Sequence, residues 1–250
     1  MIPTIVTAFH DIGRDEWFDN PIKTETYIKR FKYLCSLENP IIIYTDYKFV
    51  DIMNRLKLLR RQDLEIVYEN LYDNINVLTH IEDMMDTDKP EYIYLKNKKI
   101  DYVKRSIVKF GLDGYGGWVN CGLIRSMEQL PKNKIWDGDF RDCVNVWTQC
   151  KNDDFMNRHD MANTYNFIST KQQGIDDSII VAPVDMWDWL EEQNDMNREW
   201  CRRRDIMTTN DIILTMSYKY FQNKDKFIMR YGQPKLVDSL NIVTKTLYTG

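Results

Sequence analysis

Ile5-Val6-Thr7-Ala8-Phe9 is an unbroken apolar and β-branched run that stops at the polar stretch His10-Asp11-Ile12-Gly13-Arg14. So short a run without alternation is a strand buried on both faces, and the glycine-bearing stretch after it is a loop. Working outward, apolar residues at Tyr27, Phe31 and Leu34 give Thr26 to Leu37 a helical spacing, and Asn39-Pro40 ends it. Ile41-Ile42-Ile43-Tyr44 is a second buried strand, Phe49 to Arg60 a helix and Leu64 to Tyr68 a third strand. Strands alternating with helices form a mainly parallel sheet covered on both faces. Ligands of such sheets bind beyond the carboxyl ends of the strands, so chemistry is expected in the loops after Phe9 and Tyr44.

A stronger helix follows, with Ile100, Val103, Ile107, Val108 and Phe110 on one face and Gly111 at its end. Lys96, Lys98, Lys99, Lys104, Arg105 and Lys109 surround that stripe. Tyr115 to Ile124 reads as a strand loosened by glycine and running into a tight turn. The rest is less regular: Ser178 to Ala182 is a strand, and Asp185 to Glu192 and Asn210 to Phe221 are helices. No repeat, low-complexity tract or linker rich in Gly, Ser or Pro divides the 250 residues. The expectation is one α/β domain over 1–250, with a mainly parallel central sheet and a less regular C-terminal half.

Composition narrows the function classes. Apolar residues at 43% suffice for a core, and charged residues at 29% with a mean hydropathy of −0.52 describe a globule in water. No apolar run approaches the roughly 18 residues of a membrane span. Met1-Ile2-Pro3-Thr4 lacks the basic and apolar regions of a signal peptide, so a cytoplasmic protein without a transmembrane segment is expected. A net charge of −4 gives no overall basic footprint for nucleic acid. Five cysteines, an odd number without a C-x-x-C, read as reduced thiols and not as a zinc site. Scarce glycine with abundant Asp, Asn, Lys, Ile and Tyr fits an AT-rich genome, viral genomes included; a viral source would place the protein in the host cytoplasm. Nothing in the pattern sets an oligomeric state.

Three segments carry a resemblance. Thr4 to Arg14 followed by Trp17, then Pro90 to Lys96 running into Lys99 to Val103, then Trp118-Val119-Asn120-Cys121-Gly122-Leu123-Ile124-Arg125, resemble the HtrL/YibB-type family of glycosyltransferases. They correspond in order to its N-terminal signature, its central lysine-bearing helix and the strand and turn that follow. The likeness covers residues 4–126 and thins to Asn210-Asp211, Leu214-Thr215 and Tyr218 beyond. It implies a GT-A-like, Rossmann-like fold. It further implies that residues 1–126 hold a nucleotide-sugar donor and residues 127–250 an acceptor. GT-A enzymes place an Asp-x-Asp motif after that strand to hold a divalent ion, Mn²⁺ or Mg²⁺, on the diphosphate. This chain departs from the pattern, with Asn120 where the family has an acidic residue, so a metal would need other acids.

Glycosyl transfer leaves negative charge on the departing diphosphate and takes a proton from the acceptor hydroxyl, so it needs cations or N–H donors and a carboxylate base. On the donor side the resemblance points to Asp11, Gly13, Arg14, Lys96, Lys99, Asn120 and Arg125. Gly13 admits close backbone approach, Arg14 grips phosphate through two N–H groups, and Asp11 accepts from base or ribose. Lys96 and Lys99, one helical turn apart near a helix N-terminus, suit a diphosphate, although a solvated basic face has the same spacing. Literal Asp-x-Asp triplets occur at Asp86-Thr87-Asp88 and Asp137-Gly138-Asp139, and Asp137 with Asp139, after Ile135-Trp136 as a strand end, is the preferred metal pair. Asp177 and Asp211 are the candidate catalytic carboxylates, with helix capping the plainer role for Asp211. His10, His80 and His159 are too dispersed for a triad. Trp187 and Trp189 are either core or a sugar-stacking platform.

The function expected is sugar transfer from a nucleotide-sugar donor to a hydroxyl acceptor, a glycan by default. One alternative acceptor is a hydroxymethylated base of viral DNA, which requires a basic cleft such as Arg202-Arg203-Arg204 would help to form. A second alternative is a non-catalytic nucleotide- or glycan-binding module, prompted by Asn120. A Rossmann oxidoreductase is disfavoured because no G-x-G-x-x-G follows the first strand.

Overall fold

The computed structural model describes residues 1–16, 21–59, 63–74, 90–148, 174–204, 206, 208–219, 221–231 and 236. Three strands open the chain, β1 (Thr4–Phe9), β2 (Ile41–Thr45) and β3 (Leu64–Tyr68). They are joined through α1 (Thr24–Leu34) and α2 (Val50–Leu59). Helices α3 (Pro90–Asn97) and α4 (Lys99–Phe110) lead into β4 (Tyr115–Val119). Then come β5 (Val144–Thr148), β6 (Ile175–Pro183), α5 (Met186–Arg202), α6 (Asn210–Lys219) and β7 (Phe227–Tyr231). The seven strands among the described residues form one sheet in the order β3-β2-β1-β4-β6-β5-β7. β6 runs antiparallel to both of its neighbours, and every other pairing is parallel.

The apolar runs are continuous because both faces of the sheet are covered. Side chains alternate along a strand. Ile5 and Phe9 therefore join Phe31, Leu34, Met53 and Leu56 of α1 and α2 on one face. Val6 and Ala8 join Ile100, Tyr102 and Val103 of α4, Trp187 and Leu190 of α5 and Leu214 of α6 on the other. The single mainly parallel α/β sheet read from the sequence is the one observed.

The element boundaries also bear on that reading. The stretch read as one lysine-bearing helix is two, broken at Lys98. α4 stops at Gly111, whose φ of +61° is the left-handed cap that a side chain would resist. α5 runs ten residues past the expected Glu192, because Asn194, Asn197 and Cys201 continue its buried stripe. β5 and β7, not foreseen, extend the sheet in the half that read as irregular. Residues 131–142 form no strand, contrary to the expectation for Ile135-Trp136.

Glycine in β4 serves packing. A Cβ on Gly116 would lie 3.2 Å from Val103 Cγ1 and 3.3 Å from Trp187 Nε1. The missing side chain thus lets α4 and α5 close on the sheet. Gly116→Val should overpack this contact and cost about 1–3 kcal/mol. The check is the urea midpoint, with the slope unchanged; a wild-type midpoint would contradict the packing role.

Candidate functional site

From β1 the chain moves outward to β2 and β3, then returns across to β4 on the other side of β1. The β1–β4 boundary is thus the switch point at which two loops diverge and leave a crevice. A cleft of about 320 Å³ lies there, lined by Ala8 to Ile12 and Arg14 after β1 and by Asn120 to Leu123 and Arg125 after β4. A smaller chamber of about 190 Å³ adjoins it and shares Tyr92, Lys96, Asn120 and Ser178. A larger depression of about 830 Å³ is lined by Leu37, Glu38 and Asp63 at the amino ends of β2 and β3. No sequence-predicted site residue lines it.

Strand register organises the first wall. Phe9, Thr45 and Tyr68 are aligned partners at the ends of β1, β2 and β3. The next residue of each, His10, Asp46 and Glu69, is ionisable, and the three meet. His10 Nδ1 lies 3.0 Å from Asp46 Oδ1 and Nε2 lies 3.7 Å from Glu69 Oε1, with the imidazole fully buried. The Tyr102 hydroxyl is 3.4 Å from Nε2. Burial, and after it the Glu69 carboxylate, pushes the Tyr102 phenol far above its usual range. Asp46 Oδ2 also accepts the Asp11 N–H at 2.9 Å, and Arg105 donates to Glu69 at 2.9 Å. The cluster anchors the loop over the cleft.

Asp11 turns that loop. It accepts the Gly13 N–H at 3.0 Å, with Gly13 at φ +64°, and Lys48 Nζ at 2.6 Å. Burial, the largest single influence, opposes the charge on Asp11, but the Lys48 and Gly13 hydrogen bonds together with the Lys48 charge outweigh it and hold the carboxyl below its ordinary value. Arg14, on the 3-10 turn Arg14–Glu16, lies between two rings, 5.8 Å from the Tyr27 centroid and 5.5 Å from that of Tyr92. Tyr27 fits over the turn after β4 because Gly122 carries no side chain; a Cβ there would sit 3.1 Å from its ring.

The inner wall is an ion-pair network. Lys99 Nζ is 2.7 Å from Asp177 Oδ2 on β6 and donates to the Asp177 carbonyl at 3.2 Å. Both side chains are about 5% exposed, at 4% and 6%. Burial draws the Lys99 ammonium below its ordinary value, and Asp177 opposes this. Lys96, in the last turn of α3, lies 3.5 Å from Asp211 Oδ1. Burial disfavours its charge, but Asp177 and Asp211 hold its proton well above the ordinary lysine value. Asp211, in the first turn of α6, also accepts from the Thr209 hydroxyl. Asn120 Oδ1 accepts from Trp118 Nε1 at 2.8 Å, and Nδ2 is 3.1 Å from Ser178 Oγ. Burial pushes the neighbouring Cys121 thiol up to about 11, so it is no nucleophile at neutral pH.

The structure therefore brings Asp11, Arg14, Lys96, Lys99, Asn120 and Arg125 to one cleft, with Asp177 and Asp211 at its adjoining chamber. Gly13 does not line the cleft and serves the turn, its N–H bonded to Asp11. Asp137 and Asp139 are not at the cleft or its chamber, which corrects their place as a donor-side metal pair. Gly138 O accepts the N-terminal ammonium at 3.0 Å, and Trp136 O accepts from Asn39 at 2.7 Å. That segment sits at the start of β1 and β2, a six-residue strand or roughly 20 Å from the cleft. Trp187 is core, fully buried with its N–H on Ala182 O, and Trp189 packs on Phe227. Arg202 and Arg203 both grip Glu199, and Arg204 lies over Trp200. Trp17, His80, Asp86, Asp88 and His159 lie outside the described residues. His10, Tyr27 and Arg30 line the cleft and Lys48 braces its loop, and none of the four was among the candidate site residues of the sequence.

Fold and site together define a doubly wound α/β protein with a cation-lined crevice at its switch point. Residues 2–88 match the family model described as a bacterial protein of unknown function, HtrL_YibB. Protein HtrL of Escherichia coli (strain K12) is 26% identical over 163 residues, which takes in 55% of this chain and 56% of HtrL. The chain thus spans little more than half the length of that relative. The resemblance carried by Thr4 to Arg14 is borne out, and the chain is a distant homologue of HtrL. The segments at Pro90 and Trp118 fall beyond the residues that the family model matches. Among solved structures, a glycosyltransferase involved in glycosylation of the major capsid of PBCV-1 matches at TM-score 0.43 and 10% identity, covering 92% of this chain and 82% of that one. Mouse xyloside xylosyltransferase 1 matches at 0.47 and 6%, covering 90% and 83%. A cytidylyltransferase from Leptospira borgpetersenii matches at 0.40 and 10%, covering 98% and 81%. The activities in those names are those proteins' own. Among the described residues no helix is long and apolar enough to cross a membrane.

The Lys99–Asp177 pair yields a stability prediction. Asp177→Asn leaves a buried ammonium without its counter-charge and should cost about 3–5 kcal/mol. The double variant Lys99→Met with Asp177→Leu should recover most of that loss in urea unfolding. A double variant no more stable than Asp177→Asn would show that the cost is not an unpaired charge.

Proposed function

We propose that this chain is a nucleotide-sugar glycosyltransferase, with the donor in the larger chamber and the acceptor hydroxyl entering through the smaller one. One observation carries the reading: Arg14, Arg30, Lys96, Lys99 and Arg125 line the switch-point cleft, against Asp11 as its sole lining carboxylate among the described residues. Such a surface attracts a dianionic diphosphate, and the Tyr27, Phe49 and Tyr92 rings beside it suit a base or sugar. The donor and acceptor halves meet at the smaller chamber, where Lys96 and Asn120 face Asp177 and Asp211.

In this reading Arg14 and Lys96 meet the diphosphate oxygens, and Lys99 with Asp177 fixes the wall behind them. The acceptor O–H loses its proton to the Asp211 carboxylate as its oxygen bonds to the anomeric carbon. The bond from that carbon to the phosphate oxygen breaks, and the negative charge left on the diphosphate falls among the cations. The acceptor is read as a glycan hydroxyl. Glu199 already holds Arg202 and Arg203, so the DNA alternative gains no support from that basic run. The non-catalytic alternative has a specific observation behind it, since Asp177 and Asp211 are both tied to lysines. Steady hydrolysis or transfer with any nucleotide sugar would eliminate it.

A thermal-shift screen of nucleotide sugars tests the proposal. A donor at 100 times its dissociation constant should add about 2.7 kcal/mol of stability. Arg14→Ala should keep the wild-type melting temperature without donor and weaken donor binding by about 1.5–3 kcal/mol, roughly ten- to a hundred-fold. An unchanged dissociation constant would remove Arg14 from the site, and no shift with any donor would end the proposal.

A further inference from the structure

The donor reading leaves open which positive charge meets the diphosphate. The fold family implies a divalent cation, and the chemistry of the two chambers does not fit one. Mn²⁺ and Mg²⁺ want several hard oxygen ligands, carboxylates foremost. Asn120, where the family pattern has an acid, brings no charge, and both ends of its amide are engaged by Trp118 and Ser178. Each described carboxylate lining the chambers has a partner. Asp11 holds Lys48 and the Gly13 N–H, Asp176 the Ser178 N–H at 2.9 Å, Asp177 Lys99, and Asp211 Lys96 and Thr209. Among the described residues, no three His, Cys, Asp or Glu side chains are grouped to hold a metal ion.

The cations are placed where the metal would have acted. Lys96 lines both chambers and is 20% exposed, so its ammonium can reach a ligand in either. Its contact with Asp211 is long at 3.5 Å, against 2.7 Å for the deeper pair of Lys99 and Asp177. Lys99 is committed to Asp177 in the nearly dry wall, whereas Lys96, charged beside Asp177 and Asp211, lies on the rim of both chambers. Arg14 faces the same cleft from the opposite loop, and the Tyr92 ring lies beside both, 5.5 Å from Arg14 and 5.3 Å from Lys96.

We propose that Lys96 and Arg14 take the place of a divalent cation, so that the chain binds a nucleoside diphosphate and its sugar without metal. This rests on the donor reading above. It also gives the Asn120 departure a physical sense. A carboxylate there would repel the diphosphate unless a cation lay between them, and an amide would not.

The test is calorimetric titration of UDP, GDP and CDP and one hexose conjugate of each into the full chain, once with EDTA and once with Mn²⁺. At least one should bind with the same affinity in both buffers. Lys96→Ala should weaken it about ten-fold or more in both, with recovery in Lys96→Arg. Asn120→Asp should weaken binding in EDTA and make it Mn²⁺-dependent. Wild-type binding that appears only with Mn²⁺ would overturn the inference and leave the donor reading standing. The same holds for binding indifferent to Lys96→Ala. The wild-type comparison needs no variant to fold. No binding of any probe in either buffer would overturn the donor reading, and this inference with it.

Discussion

Lys99 sits at the first residue of α4, Asp177 at the third of β6, and water is nearly excluded from the space between them. A lone ammonium in that position would be too costly to keep charged, so each partner fixes the other. The constraint reaches further than the pair. It sets where α4 begins relative to β6 and so holds Lys96, three residues earlier, on the rim of the crevice. It also places Ser178, the residue after Asp177, where it orients the Asn120 amide. The inner wall follows from that geometry, and the outer wall from the aligned strand ends that gather His10, Asp46 and Glu69.

These two walls treat charge in opposite ways. Behind the first loop, carboxylates are consumed internally: Asp46 by His10 and a backbone N–H, Glu69 by Arg105, Asp11 by Lys48. In front, cations line the cleft: Lys99 and Lys96 are held by Asp177 and Asp211, and Arg14 and Lys96 lie beside the Tyr92 ring. The chain as a whole is acidic at −4, yet its crevice is positive. Net charge gave no overall basic footprint for nucleic acid and was silent about the site, because a few oriented side chains set a local potential that the total does not report.

The first half was legible because its strands are continuous apolar runs and its helices show clear spacing. Both signals come from a sheet covered on two sides. The second half hid β5 and β7, since Val144 to Thr148 places a buried Asn145 and Thr148 among its apolar residues and so breaks the run. The rule that parallel strands present ligands at their carboxyl ends pointed to the loop of Asp11, Gly13 and Arg14, while Lys96, Lys99, Asn120 and Arg125 came from the family resemblance. His10 escaped because it was sought among other histidines. The available signal was that the first residue beyond each of three strands is ionisable. Asp137 and Asp139 were misplaced for the converse reason. An acidic triplet has a composition but no address, and the Asn39, N-terminal and Arg230 hydrogen bonds of the folded chain place it away from the cleft, by the amino ends of β1 and β2.

The inner ion pair joins residues 78 positions apart. A chain made from its N-terminus displays β1 to β4, and the whole segment matched by the family, well before Asp177 exists. Until then Lys99 has no counter-charge, and α4 is held to the sheet by its apolar face on β1 and β4. β4 also lacks its antiparallel neighbour, because β6 comes later in the chain. The N-terminal half therefore cannot complete its own crevice during synthesis. Closure waits for the long-range contacts of β6 with β4 and of Asp177 with Lys99, which form slowly.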